Sequence, residues 1–259
     1  MPRVLRLDRA HDYAHLIRRW RALARRSGLT MTSFTKSAGY DLFCLEPARA
    51  AKDAPSIYFS AGIHGDEAAA TEGLLHWAEK NVALLREMTV MIFPCLNPWG
   101  LVGNCRFDSE GRDLNRGYNA DIPQIVAQMR LLAGRRFDLA LTLHEDYDAR
   151  GLYIYEVPSR PRYWAEEMLK AAAGIIPADS RGKIEGRSAR GGVVRRSITP
   201  DLMPDWPEAF VLHFRHAART FTVETPSEYS LDDRVAAQVA VISKAVALCR
   251  REFRVLRKI

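Results

Sequence analysis

Apolar residues near the start of the chain recur at helical spacing. They are Tyr13, Ile17, Trp20, Leu23 and Ala24, with arginines between them. This pattern predicts an amphipathic surface helix over residues 8–27, ended by Gly28.

Farther along, short apolar runs alternate with helical patterns. The predicted strands are 29–34, 40–45, 56–61, 89–95, 137–143, 151–157 and 220–223, and the further predicted helices are 66–80, 162–173 and 232–252. Short strands that alternate with helices are typical of an α/β fold with a largely parallel or mixed central sheet. Because the sequence shows no repeat and no low-complexity linker, we expect a single domain over residues 1–259.

Four residues that can do chemistry follow predicted strands: His64, Glu67, His144 and Glu224. In sheets of this class, ligands bind beyond the carboxyl ends of the strands. We therefore expect the functional site at that edge of the sheet.

Composition narrows the classes of function. The 259 residues include 38 Lys and Arg against 31 Asp and Glu, a net charge of +7. No nucleic-acid-binding motif accompanies this charge, so we interpret it as a solvated surface and expect no nucleic-acid partner. We expect no membrane partner either, because no apolar run is long enough to span a bilayer.

The sequence also bears on the compartment. The start of the chain, MPRVLRLDRAHDYAH, lacks the apolar core of a signal peptide. Cys44, Cys95, Cys105 and Cys249 form no CxxC pair, and we interpret them as mostly buried thiols. Free thiols are typical of a reducing compartment, so we expect the cytoplasm.

The segment AGIHGDE, residues 61–67, carries the strongest candidate chemistry. His64 and Glu67 are three residues apart on a turn that enters a helix, where they can reach one cation. His144, which ends an apolar strand, is the natural third ligand. A His-Glu-His set with an open position is a common catalytic zinc site. The other histidines lack this context and are interpreted as surface or core residues: His11, His15, His76, His213 and His216.

Motifs downstream extend the pattern. Residues 97–100 read NPWG, Arg106 follows, and residues 113–116 read DLNR. Taken in order with the metal residues and Glu224, they resemble the zinc carboxypeptidase family and its relatives, the aspartoacylases and succinylglutamate desuccinylases. The resemblance spans about residues 56–226. It implies one α/β domain with a mixed central sheet of about eight strands flanked by helices.

The resemblance also implies roles. His64, Glu67 and His144 would bind one zinc ion, and Glu224 would be the general base that passes a proton to the leaving nitrogen. Arg106 would stabilise the oxyanion, and Asp113 would orient a zinc-bound histidine, His64. Asn115 and Arg116 would bind the substrate's terminal carboxylate.

The chain departs from digestive carboxypeptidases in its closing loop. No tyrosine occurs in residues 181–215, and Tyr153, Tyr155 and Tyr229 do not match the family's mobile tyrosine, so none is assigned that role. The chain is shorter than the digestive enzymes and more like compact bacterial branches such as the murein-peptide amidases.

Two charged segments lie near these motifs. Glu145 and Asp146 follow His144, and we interpret them as solvated acids on a loop. The alternative is that they raise the basicity of His144 or hold a second cation. Residues 181–196 hold six basic side chains and one acid. They are interpreted as a mobile, solvated loop, with the hypothesis that some of the six face an acidic substrate. The six are Arg181, Lys183, Arg187, Arg190, Arg195 and Arg196.

These observations favour a zinc-dependent metallocarboxypeptidase that hydrolyses an amide bond adjacent to a free carboxylate of a small peptide. One alternative is an N-acyl amino acid amidohydrolase, which shares DLNR. The other is a non-catalytic binding protein with the same fold.

Overall fold

Strands and helices alternate along the chain, as the sequence predicts. The structure is a computed structural model that describes residues 9–49, 51, 53–158 and 162–257. The strands are β1 (Leu29–Ser37), β2 (Tyr40–Pro47), β3 (Ser56–Ala61), β4 (Thr89–Phe93), β5 (Leu139–Asp146), β6 (Tyr153–Glu156), β7 (Lys183–Ile184), β8 (Arg187–Ser188), β9 (Val193–Arg195) and β10 (Thr220–Pro226). The helices are α1 (Tyr13–Ser27), α2 (Ala68–Lys80), α3 (Val82–Leu85), α4 (Pro98–Gly103), α5 (Pro123–Leu132), α6 (Ala165–Ala172), α7 (Glu208–Val211) and α8 (Leu231–Leu256).

Every predicted strand and helix is present, β3 with the predicted ends and the others with shifted ends, and several further elements were not predicted. Helix α1 starts at Tyr13 because the Asp12 carboxylate accepts the backbone N–H of His15, at 2.8 Å, and so caps the helix there. Gly28 ends it in the left-handed conformation, with φ of 71°. Residue 8, where the predicted helix starts, and the charged residues before it lie outside the described residues, whereas residues 9–12, also predicted as helix, come before α1.

The main sheet has eight strands in the order β1-β2-β4-β3-β5-β10-β6-β9. Its centre is parallel: β4, β3, β5 and β10 run in one direction. Strands β2 and β6 pair antiparallel with β4 and β10 on either side. The fold is therefore an α/β architecture with a mixed eight-stranded sheet, which confirms the predicted fold class.

Helices cover both faces of this sheet. Ile57 and Phe59 of β3 pack into a core with α1, α2, α6 and α8, whereas Tyr58 points into a second core with residues of α5 and α7. Successive strand residues face opposite sides, so an apolar run such as SIYFSA is needed where both sides are covered. A cleft outside both cores is lined by residues of β5 and β10, among them Thr142, Thr222 and Glu224.

Two sequence predictions concern the chain as a whole. Cys44, Cys95 and Cys249 are buried and Cys105 is partly buried, and all four are free thiols, as expected. None of the helices in the described residues has both the length and the apolarity needed to cross a bilayer.

Candidate active site

The turn that carries His64 depends on two glycines. Gly62 has a φ of 62°, and a Cβ added there would lie 2.6 Å from Thr71 Cγ2. A Cβ added at Gly65 would lie 1.9 Å from the carbonyl carbon of Gly100. Both glycines of AGIHGDE therefore let the turn pack against α2 and against the NPWG segment.

The NPWG segment is hydrogen-bonded to the turn that carries His64. The Asn97 backbone N–H donates to the Gly62 carbonyl at 2.7 Å. The Asn97 side chain accepts the N–H of Gly100 at 3.0 Å, which caps α4, and donates to the Phe107 carbonyl at 3.0 Å. One asparagine thus joins the turn before His64 to the loop that carries Arg106.

The three predicted metal ligands converge. His64 Nδ1 lies 2.5 Å from Glu67 Oε1, and His144 Nδ1 lies 2.9 Å from Glu67 Oε2. All three side chains are buried, and one ligand atom from each lies within 4.8 Å of the others. Two imidazole nitrogens and a carboxylate oxygen are a donor set that suits Zn²⁺. The residues present therefore fit the metal that the sequence predicts.

His64, Glu67 and His144 shift one another's pKa values. Burial alone would lower the pKa of His64 and of His144, but the Glu67 carboxylate raises both. Burial would raise the pKa of Glu67, and the two imidazoles hold it below its usual range instead. The ionised Glu67 carboxylate is thus stabilised by positive charge next to it, which either protons on the imidazoles or a bound cation can supply.

The other nitrogen of His64 is also held. His64 Nε2 lies 3.1 Å from Asp113 Oδ1, the position predicted for Asp113. Asp113 Oδ2 accepts Arg106 Nε at 3.1 Å and Nη2 at 2.9 Å. Asp113 therefore fixes the ring of His64 and, at the same time, the guanidinium of Arg106.

One guanidinium nitrogen of Arg106, Nη1, is not used by Asp113. Nη1 lies 3.8 Å from Glu67 Oε1, whereas Nε and Nη2 are used by Asp113. A guanidinium held on one edge offers its remaining N–H groups in a fixed direction.

Glu224 lies beside His144 across the parallel pair β5 and β10, where the two residues are register partners. Burial raises the pKa of Glu224 well above its usual range; His144 opposes this, and the nearby Glu67 adds to it. A carboxyl group held next to a metal-binding histidine is placed where it can take and return a proton.

The strand ends differ from the prediction at this point. His144 and Glu224 were expected just after their strands, but β5 continues to Asp146 and β10 to Pro226. Their pairing extends for two residues beyond His144 and Glu224. The backbone of both residues is therefore held by regular sheet hydrogen bonds and is not part of a loop.

His64, Glu67, Arg106 and Glu224 line one cleft, whereas His144 and Asp113 lie behind its lining residues. It contains about 1040 Å³ of atom-free space, open solvent included, and Asn115, Arg116 and Glu224 line it together with His64 and Glu67. Asn115 and Arg116 lie on a single 3₁₀ turn whose start is capped by Asp113, through the Asn115 N–H at 2.9 Å. DLNR therefore places the predicted carboxylate-binding pair and the partner of His64 in one turn.

The interpretation of Glu145 as a solvated acid is wrong. Its side chain is 4% exposed, accepts the Ala69 N–H at 2.6 Å and forms an ion pair with Arg234 of α8. Asp146 is partly buried and accepts the hydroxyl of Tyr153 at 2.9 Å. The reason is that β5 continues under α2 and α8, which exclude water from the residue after His144.

Glu145 connects the two segments that carry the ligands, because Ala69, the second residue of α2, lies two residues after Glu67. We expect Glu145→Gln to lower zinc affinity about ten-fold, the smaller end of the range for such supporting contacts, since a glutamine oxygen still accepts the Ala69 N–H. Competition against a chromogenic chelator measures this. Glu167→Gln, at an exposed ion pair with Lys244, is the matched control and should leave the affinity unchanged.

Sequence reasoning missed the tyrosines. Tyr153 and Tyr155 line the cleft, and the hydroxyl of Tyr155 donates to Glu185 at the tip of the β7–β8 hairpin. Strict alternation in GLYIYEV was the available signal, because it places both rings on one face of β6.

The six basic residues of the segment divide into three pairs, one of which, Lys183 and Arg190, is exposed. Arg181 pairs with Asp179 at 2.6 Å and Arg195 with Glu156 at 2.5 Å, so these two are structural. Arg187 and Arg196 line the cleft. The segment forms β7, β8 and β9 rather than the loop that was expected. The five other histidines lie outside the metal-ligand group.

Comparison with known proteins finds a family model and solved structures that resemble this chain. A family model for the succinylglutamate desuccinylase/aspartoacylase catalytic domain matches residues 53–178. That range contains the three metal-ligand candidates, Arg106 and DLNR but not Glu224. A comparison with curated protein sequences finds no match.

Solved structures with the same fold extend the likeness to most of the chain. A predicted metallopeptidase of Shewanella baltica is 24% identical, with 93% of each chain covered and a TM-score of 0.82. A metallo-carboxypeptidase of Burkholderia cenocepacia is 15% identical, covering 91% of this chain and 68% of that one, with a TM-score of 0.67. A metallo-carboxypeptidase of Pseudomonas aeruginosa, solved with (2-guanidinoethylmercapto)succinic acid, is 18% identical, covering 91% and 68%, with a TM-score of 0.66. The predicted resemblance to zinc carboxypeptidases and desuccinylase relatives is confirmed.

Proposed function

We propose that this protein is a zinc-dependent hydrolase that cuts an amide bond next to a free carboxylate of a small peptide. The observation that carries the proposal is the convergence of His64, Glu67 and His144 at the wall of one cleft, with Glu224 beside His144 in the sheet. The carboxypeptidase-like fold and the family-model match support the same class of chemistry.

The three ligands would hold one zinc ion. Bound there, zinc would polarise the scissile carbonyl and lower the pKa of a bound water to about 7. Glu224 would take the proton of the attacking water and pass it to the leaving nitrogen, a role that suits its place beside His144 in the sheet. Arg106 would stabilise the oxyanion through Nη1, since Asp113 holds its other edge.

Asn115 and Arg116 would bind the terminal carboxylate of the substrate. Arg116 is exposed on the cleft lining, and among the described residues its side chain donates only to the neighbouring Asn115 carbonyl, at 2.9 Å. A guanidinium in this state is available for a bidentate pair with a carboxylate.

Replacing Arg116 tests the direction in which the substrate binds. Arg116→Ala should raise KM for a peptide with a free terminal carboxylate by about 10- to 100-fold, because a charge-assisted hydrogen bond is lost. KM for the C-terminally amidated peptide should change little. Arg254→Ala, on α8 outside the cleft lining, is the matched control. Equal losses on both peptides would contradict the proposed carboxylate site.

The second candidate function is N-acyl amino acid hydrolysis. The observation that favours it is the family model, which is named for the succinylglutamate desuccinylases and aspartoacylases. The same catalytic residues would serve, and Arg187 and Arg196 would receive an acidic part of the substrate. On the four free thiols we further propose that the protein works in the cytoplasm.

A further inference from the structure

A buried carboxylate lies behind the cleft without a cationic partner. Glu208, the first residue of α7, is 1% exposed. Among the described residues, no arginine, lysine or histidine forms an ion pair with it. Burying a carboxylate is costly unless hydrogen bonds replace its water, so such a residue needs a structural explanation.

Three neutral donors surround this carboxylate. Tyr58 Oη donates to Glu208 Oε1 at 2.5 Å, Gln128 Nε2 to the same oxygen at 3.0 Å, and Ser60 Oγ to Oε2 at 2.7 Å. Tyr118 completes the network by donating to Gln128 Oε1 at 2.7 Å. The side chain of Glu208 is thus fixed to β3 and α5, the rigid part of the fold.

The backbone of the same residue reaches the cleft. The Glu208 N–H donates to Asn115 Oδ1 at 2.9 Å. The chain before it also runs along the DLNR turn: the Tyr118 N–H donates to the Trp206 carbonyl at 3.1 Å, and the Trp206 N–H donates to Asn119 Oδ1 at 3.2 Å. Glu208 therefore links the segment that contacts Asn115 to strand β3, because its backbone binds Asn115 and its side chain binds Tyr58 and Ser60.

This contact decides which way the amide of Asn115 faces. Because Oδ1 accepts the Glu208 N–H, Nδ2 remains as the group that can donate into the cleft. A flipped amide would place two donors against each other. A carboxylate ligand needs the donor, so only the observed orientation serves it.

We propose that Glu208 is a positioning residue for substrate binding: its buried carboxylate anchors the backbone N–H that orients Asn115 toward the substrate's carboxylate. The inference rests on the proposed function, in which Asn115 binds that group. Glu208 acts through Asn115 and does not touch the substrate.

The test compares a peptide that has a free terminal carboxylate with its amide. Glu208→Ala should raise KM for the free peptide about ten-fold, with kcat and the amidated peptide little changed, because one hydrogen bond to a charge is weakened. Glu208→Gln should restore most of the preference, since a glutamine oxygen accepts Tyr58 and Gln128 while its amide donates to Ser60. Asp179→Ala removes another fully buried carboxylate, outside the cleft lining, and should leave the preference unchanged.

A second variant covers a failure of Glu208→Ala to fold. Tyr58→Phe/Ser60→Ala withdraws two of the three donors without opening a large cavity, and it should weaken the preference in the same direction. A wild-type preference in either folded variant would overturn the proposal.

Hydrogen exchange separates this inference from the function on which it rests. Asn115→Ala should speed exchange of the Glu208 amide about ten-fold, whatever the substrate is, because its acceptor is gone. If Asn115→Ala abolishes the carboxylate preference but Glu208→Ala does not, the positioning role is wrong. If Asn115→Ala leaves the preference intact although exchange at Glu208 accelerates, the assigned role of Asn115 is wrong, and the role of Glu208 falls with it.

Discussion

Glu224→Gln should lower turnover by at least about 100-fold, the loss expected when a general base is removed. Glutamine has the same shape and can still accept a hydrogen bond, but it cannot take the proton of the attacking water. Zinc binding should persist, because Glu224 is not among the three converging ligand residues. Steady-state kinetics measure the loss of turnover, and the metal content of the same preparation shows whether zinc is retained.

The matched control for Glu224 is Glu228→Gln, an exposed carboxylate shortly after β10. It should keep full activity. Near-normal turnover in Glu224→Gln would contradict the catalytic assignment, whereas loss of zinc from that variant would move Glu224 into the metal site.

Zinc should stabilise the metal-free protein through the three converging ligands. At a free concentration about 1,000 times Kd, one specific site adds about 4 kcal/mol to the free energy of unfolding. His144→Ala removes a buried ligand on the central strand β5, and we expect it to lose nearly all of this gain as well as the activity. Denaturant unfolding with and without zinc measures the difference.

A surface histidine provides the comparison for His144→Ala. His15 on α1 lies away from the metal group, and His15→Ala should gain the same stability from zinc as the wild type. An equal gain in His144→Ala and the wild type would mean that zinc binds elsewhere on the chain.

The parts of the site that the sequence predicts are those with local causes. His64 and Glu67 share one turn, and the two glycines of AGIHGDE make that turn possible. DLNR works in the same way, since Asp113 caps the turn that carries Asn115. Apolar runs in the sequence predict β3, β5 and β10. Because ligands of α/β sheets bind beyond the carboxyl ends of the strands, these runs also predict where the site lies.

Contacts between distant segments could not be predicted in this way. Glu145 is buried because Arg234, 89 residues later, packs on it from α8. Asn115 is oriented by Glu208, 93 residues later. Neither pair carries a local pattern, and both depend on how α7 and α8 return to the sheet.

The short elements were missed for a related reason. Strands β7 and β8 have two residues each, too few for any periodicity. Their hairpin is set by a turn in which Glu185 and Gly186 both have positive φ, 46° and 72°. The basic composition of the segment hid this turn chemistry, so that a solvated loop was expected.

The central claim is that this cleft hydrolyses an amide bond next to a free carboxylate. The most direct test is mass spectrometry of the products that zinc-loaded protein forms from a mixture of short peptides and N-acyl amino acids, with Glu224→Gln as the blank. We expect loss of a C-terminal residue from peptides with a free carboxylate, and its absence with Glu224→Gln. Release of an acyl group with peptides intact would contradict the carboxypeptidase activity and favour the N-acyl amino acid hydrolase, and no product from either class would contradict the account as a whole.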